Sequence, residues 1–150
     1  MAVPDYNIVC DSREQLPLWK SGVVIKRLDV GDYSIEGLEE EICIERKSLC
    51  DLFSTLGSGH KRFKAELERA KSLKYFAIVV DGTLTTCVNK DFTGANYSQM
   101  KGHVIASIMF TLHVKYGIPI FFTSGRSESK TLIRNLFKAY IRCHVEKNHL

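Results

Sequence analysis

Nothing in this chain reads as membrane-directed or exported. No apolar run approaches the ~20 residues that a spanning helix needs. The opening MAVPDYNIVC lacks a basic stretch followed by an apolar one, so no signal peptide is expected. A disulfide framework and a zinc ribbon are also disfavoured. Cys10, Cys43, Cys50, Cys87 and Cys143 are odd in number and contain no Cys-x-x-Cys pair, and they lie mostly in apolar runs. Reduced, buried thiols in a soluble intracellular protein are the expectation. Internal repeats and low-complexity segments are missing as well. Strong charge of either sign is lacking: 21 basic against 17 acidic residues give +4 and a pI of about 8.8. That is too mild for charge alone to argue for nucleic acid.

What is present is an ordinary globular composition, 45% apolar and 25% charged over 150 residues, enough for one domain with a real core. Residues 1–150 are therefore expected to form a single domain. The informative stretch is Gly31 to Asp51, GDYSIEGLEEEICIERKSLCD. Two alternating runs, 32–35 and 42–47, flank a glycine-bearing acidic turn, the pattern of a β-hairpin. Strand side chains alternate, so Ile42 and Ile44 point one way while Cys43, Glu45 and Lys47 point the other. Asp32 on the partner strand comes opposite Glu45 and Lys47 if the hairpin pairs in register.

Two carboxylates and an ammonium on adjacent strands have a definite chemical use. Mg²⁺ binds proteins through one or two carboxylates and takes its remaining ligands from water and phosphate. A lysine alongside can hold the attacking water and offset developing negative charge. A bare Glu-x-Lys more often belongs to a solvated, salt-bridged strand face. Its surroundings decide between the two readings.

Gly-Asp-Tyr, a hairpin, Glu45-Arg46-Lys47 and then Asp51 four residues on resemble the nuclease signature of XPF-type structure-specific endonucleases. These belong to the wider PD-(D/E)xK, restriction-endonuclease-like group. A second match is Asp11-Ser12-Arg13-Glu14 after the first strand, where that family carries a similar Asp-x-Arg-Glu. The resemblance covers nearly the whole chain. It implies an α/β fold with a mixed central sheet flanked by helices, and a Mg²⁺-dependent (or Mn²⁺-dependent) endonuclease acting on branched or structured DNA. Asp32 and Glu45 would hold the metal, Lys47 the water, and Arg46 a substrate phosphate or a site acid. Asp51 would orient Arg46 or Lys47, and Asp11 and Glu14 would stand near the metal. Members also carry a Gly-Arg-aromatic step, represented here by Lys61-Arg62-Phe63 with the glycine displaced to Gly59. That step makes Arg62, with Lys61 and Lys64, the expected phosphate contacts. Many members add a tandem helix-hairpin-helix domain or a helicase, for which 150 residues leave no room.

Elsewhere the pattern predicts strands at 6–10 and 23–28 and an exposed apolar turn at 16–19. It predicts a helix from Ser48 to Leu56, capped by Ser48 with Asp51 completing a box, and a basic helix over 61–73. A buried strand follows at 75–81, then a loop over 82–96 and a helix over 97–116. A strand at 118–123 and a helix over 127–146 close the chain. Lys130, Arg134, Lys138 and Arg142 recur every four residues along that last helix, either as its wet face or as a track for a nucleic-acid backbone. The 97–116 helix is apolar around much of its circumference, which predicts a homodimer with Ile108, Met109 and Leu112 near the twofold axis. The competing function is a catalytically silent DNA-binding or scaffolding subunit of a nuclease complex. Such a subunit typically loses an acid or the lysine, whereas all are retained here.

Overall fold

The structure, a computed structural model, describes residues 5–145. Its sheet has six strands in the order β2-β1-β3-β4-β5-β6. The strands are β1 (Ile8–Asp11), β2 (Val24–Lys26), β3 (Tyr33–Ile35), β4 (Ile42–Ser48), β5 (Tyr75–Asp81) and β6 (Ile120–Phe122). β3 pairs antiparallel with both β1 and β4, whereas β4, β5 and β6 run parallel. This is the mixed sheet expected from the sequence. The unbroken apolar run of β5 fits its central place, since a parallel strand is covered on both faces.

Alternation along β4 divides the interior in two. Cys43 joins Ile78 and Val80 under α1 (Leu49–Leu56), α2 (His60–Ala70), α3 (Leu84–Asn89) and α4 (Gly102–Tyr116). Ile42 and Ile44 join Ala77 and Val79 under α5 (Arg126–Tyr140). One strand therefore supplies the floor of two separate cores. α1 starts where expected: Ser48 caps it, its hydroxyl accepting from the Asp51 N–H at 3.1 Å.

Several expectations change. The 82–96 segment is not all loop, because Thr83 caps the short helix α3 by accepting from the Thr86 N–H. The long apolar helix begins at Gly102, not Tyr97, which sits in a separate 3₁₀ turn. Gly102 is required there, since a Cβ would lie 2.1 Å from the Val88 carbonyl oxygen of α3. The 16–19 turn is only partly exposed: Leu16 is 70% exposed, but Leu18 and Trp19 are buried. Trp19 meets Tyr33 edge to face at 5.3 Å, and the Leu18 N–H donates to the Tyr33 hydroxyl. α5 ends at Tyr140 in a π turn, Ile141–Val145.

The residues expected at a twofold axis are also corrected. Met109 and Leu112 are buried in the chain's own core, and Ile108 packs half-buried against it. The exposed apolar side of α4 is instead Phe110 and Val114, the latter 82% exposed, beside Val88 of α3. Cys50 and Cys143 are exposed, while the other three thiols are buried. No helix among the described residues is long and apolar enough to cross a membrane.

Candidate active site

The β3–β4 pairing sets the geometry of the site. Tyr33 lies across from Ile44, so one further step puts Asp32 directly across from Glu45. The Asp32 N–H donates to the Ile44 carbonyl at 2.8 Å, and the Arg46 N–H donates to Asp32 Oδ2 at 2.8 Å. Gly31 permits this approach. Its φ is +78°, and a Cβ there would stand 3.0 Å from the Ile44 carbonyl oxygen. Lys47 Nζ lies 3.1 Å from Glu45 Oε2. Asp32, Glu45 and Lys47 thus share the face of the sheet that α1 and α2 cover.

These groups line a cleft of about 700 Å³ together with Asp11, Glu14, Asp51, Arg62, Glu66 and Arg69. Electrostatics there are unbalanced. Burial pushes the Asp32 carboxyl up to about 7, with the nearby Glu14 and Glu66 charges adding to the rise. Burial, then Asp32 and Glu66, hold Glu45 well above the usual carboxylate range. For Lys47 burial works against the charged form, but the Glu45 carboxylate outweighs it and the ammonium is retained. Three carboxyl groups around one ammonium leave an excess of negative potential.

Two participants escaped the sequence reading. Glu66 of α2 lies within hydrogen-bonding reach of Glu45, and its Oε1 accepts from the Gly31 N–H at 3.3 Å. It stands four residues after Arg62, one helical turn along the same face, and that spacing was the available signal. Asp81 ends β5, the parallel neighbour of β4, opposite Ser48. An acid closing an otherwise apolar strand beside the motif was the signal there.

Asp81 explains Arg46. The Arg46 side chain leaves the face of Glu45 and Lys47 and crosses to the α5 side of the sheet. There its Nε donates to Asp81 Oδ2 at 2.8 Å and its Nη1 to the Leu16 carbonyl at 2.9 Å, with Glu14 Oε2 at 3.8 Å. Of the two contacts expected of Arg46, a substrate phosphate or a site acid, the geometry has the second, with Asp81 and, at 3.8 Å, Glu14. Its donors are committed to acids and a carbonyl within the protein.

Of the remaining expected residues, Asp11, Glu14, Asp51 and Arg62 line the cleft and two lysines do not. Asp11 is tied by Arg13 at 3.0 Å and by the Leu28 N–H at 2.8 Å, so its carboxylate is already engaged. Glu14 Oε2 is buried without a hydrogen-bond partner among the described residues. Asp51 lies at the cleft's edge as a helix-start residue and makes no ion pair or side-chain hydrogen bond with Arg46 or Lys47 among the described residues. Arg62 lines the cleft, but Lys61 and Lys64 do not; both are exposed on α2 away from it. The departure follows from helical geometry, since neighbours in sequence face different ways.

The ERCC4 domain family matches residues 1–136. This chain belongs to the ERCC4 domain family. Its fold is that of XPF from Aeropyrum pernix, with a TM-score of 0.66 at 24% identity over 91% of this chain and 62% of that one. A second structure, of the same protein in complex with DNA, gives a TM-score of 0.69 at 21% identity over 94% of this chain and 68% of that one. A curated relative, "Putative ATP-dependent RNA helicase" of Methanocaldococcus jannaschii, is 26% identical over 113 residues, 75% of this chain. The ERCC4 domain described here spans only 12% of that relative's length.

Proposed function

We propose that this ERCC4 domain is a metal-dependent endonuclease that hydrolyses phosphodiester bonds in branched or structured DNA. The observation that carries the reading is the convergence of Asp32, Glu45 and Lys47 at one end of β4, in a cleft that also holds Arg62. Membership in the ERCC4 family, and the DNA complex of a protein with the same fold, support it further.

Mg²⁺ or Mn²⁺ fits the donor set. Among the described residues no three His, Cys, Asp or Glu side chains come together as a closed metal cage. Mg²⁺ does not require one, because one or two carboxylates suffice and water and phosphate complete its shell. Buried acids crowded around one ammonium, with the Asp32 and Glu45 carboxyls raised, are the marks of a site short of positive charge. Asp32 and Glu45 would hold the ion, which when bound polarises a phosphoryl oxygen and acidifies a water.

The other steps belong to the chain's own groups. Lys47 Nζ, fixed against Glu45, donates to the attacking water and meets the negative charge that develops on phosphorus oxygens. Arg62 holds a neighbouring phosphate at the cleft's rim. Glu66 braces Glu45 and the Gly31 N–H from α2. Arg46 keeps the strand end in place from behind. A homodimer is proposed to form through the exposed side of α4, where Phe110, Val114 and Val88 make an apolar groove. Sedimentation at micromolar concentration checks that pairing, a lone 17 kDa species being the contrary result.

Cleavage of labelled flap, fork, Holliday-junction and linear DNA in Mg²⁺ and in Mn²⁺ tests the function. Nicking near the branch by the native chain, lost in Glu45→Gln, is expected. Binding without cleavage on every substrate would overturn the reading in favour of a silent scaffolding subunit.

A further inference from the structure

We propose that the face of α5 bearing Arg126, Lys130 and Arg134 is a second nucleic-acid contact surface, which holds a duplex arm on the side of the sheet opposite Arg62 and Arg69. The proposal rests on the reading that DNA occupies the cleft, and it names where that DNA continues.

Position is the first argument. α5 follows β6, and β6 runs parallel to β4 and β5. The first turn of α5 therefore stands at the same end of the sheet as Lys47 and Ser48. Arg126 makes the connection concrete. Its Nη1 donates to the Leu16 carbonyl at 3.1 Å and its Nη2 to the Pro17 carbonyl at 3.0 Å. That same Leu16 carbonyl receives Arg46 at 2.9 Å, and Leu16 lines the cleft. One carbonyl oxygen thus joins the start of α5 to the strand that carries Glu45 and Lys47.

The state of the cations is the second argument. Arg13, Lys26, Arg46, Lys47, Lys71 and Lys74 each lie within ion-pair distance of a carboxylate. Among the described residues Arg126, Lys130 and Arg134 have no such partner. Instead Lys130 Nζ lies 5.7 Å and the Arg134 guanidinium 5.9 Å from the Trp19 ring. An aromatic face holds cations in place without neutralising them. The nearest acid on the helix, Glu128, folds back to accept from the Ser124 N–H at 2.9 Å. Spacing completes the case: residues four apart rise about 6 Å along a helix. The three cations therefore extend about 12 Å away from the cleft, the length of several backbone phosphates at about 3.4 Å per residue of one strand.

The surface is also stiffly mounted. Ser129, one residue before Lys130, donates to Asp81 Oδ1 at 2.6 Å and sits 2.8 Å from Thr123 Oγ1. Ile133 and Phe137, fully buried beside that row, pack the helix against the sheet. A duplex arm would meet a preset row of donors, with no loop to be ordered first.

The test is fluorescence anisotropy of the full chain with a forked DNA in Ca²⁺, titrated with salt. Lys130→Gln/Arg134→Gln is expected to bind about tenfold more weakly at 150 mM salt, with a log–log salt slope shallower by about 2. Lys130→Arg/Arg134→Lys restores both values. Should the double variant lower the Tm, Lys130→Gln alone carries the same test, with the slope shallower by about 1. Affinity and slope equal to the native values in both variants would overturn the proposal, leaving an acidic protein as the partner to seek for this face. A native chain that binds the fork but never cuts it would reject the catalytic reading and leave this one standing.

Discussion

The two faces of β4 are built on opposite electrostatic terms. On the α1–α2 side, Asp32, Glu45 and Glu66 crowd one ammonium, and burial together with that crowding raises the Asp32 and Glu45 carboxyls above their ordinary range. On the α5 side, Arg46, Asp81, Ser129 and Thr123 form a network whose members pair with one another. The first face is left short of a cation and is suited to chemistry. The second is complete and is suited to support. Three consecutive residues, Glu45, Arg46 and Lys47, serve both, because a strand sends alternate side chains to opposite sides.

The contrast can be broken most severely on the chemical side. Glu45→Gln should lower the Mg²⁺-dependent cleavage rate by ~10³-fold or more, a barrier increase of about 4 kcal/mol, while the fold is retained. Single-turnover cleavage of a fork checks this, and a rate near that of the native chain would dismantle the site assignment.

On the supporting side the expected loss is of stability. Asp81→Ala strips Arg46 of its principal partner and leaves a buried guanidinium uncompensated, at a cost of about 3–5 kcal/mol. Urea unfolding monitored by circular dichroism would detect it, and a change below 1 kcal/mol would mean that Glu14 and Leu16 suffice for Arg46.

Asp32→Asn sharpens the comparison with an effect of opposite sign. Asp32 titrates near 7 when folded, against about 3.9 when unfolded. Between those values the unfolded chain releases its proton first, so rising pH weakens the metal-free fold, and above 7 the penalty is complete. Asparagine has no proton to lose and can still accept from the Arg46 N–H. The variant should therefore match the native chain at pH 4 and exceed it by about 1–3 kcal/mol at pH 8 in the absence of metal. Equal stabilities at both pH values would show that water already screens the carboxyl cluster.

The smallest effect belongs to the rim. Arg62→Ala should weaken DNA binding several-fold and reduce the salt slope by about 1, whereas Lys61→Ala, outside the cleft, should do less. A gel shift in Ca²⁺ at several salt concentrations separates the two.

Legibility in the sequence followed the same division. The hairpin, its register and the convergence of Asp32, Glu45 and Lys47 were readable because they are local: Asp32 and the glutamate of its partner strand are thirteen positions apart, joined through a short turn. Asp81 and Glu66 were not singled out. They reach the motif through the pairing of β5 with β4 and the docking of α2, contacts that lie 35 and 21 residues beyond the motif residues they serve, Arg46 and Glu45. For the same reason the sequence left Arg46 between a phosphate and a site acid. Alternation places it on the far face, but only the fold reveals an acid waiting there. Trp19 hides beneath Lys130 and Arg134, so a segment that reads as an exposed turn is half core. The apolar girth of α4 placed Ile108, Met109 and Leu112 at a partner's surface, but Met109 and Leu112 turn inward to the chain's own core and Phe110 and Val114 stay exposed.

The passage of Arg46 through the sheet has a consequence for how such a domain can change over time. On the proposed reading, reach toward the substrate and the bond-breaking step would sit on opposite walls of a single strand. Lineages can therefore remodel the outer wall, lengthening α5 or exchanging its surface cations, while the catalytic wall stays fixed. The limit on this freedom is the guanidinium itself. A remodelling that pulls Leu16 or Asp81 out of place would be transmitted through Arg46 to the strand end that carries Lys47. Diversification in this family should then concentrate on the outward-facing positions of the last helix and spare the residues that grip Arg46, and an engineer seeking a new substrate geometry would begin with the same positions.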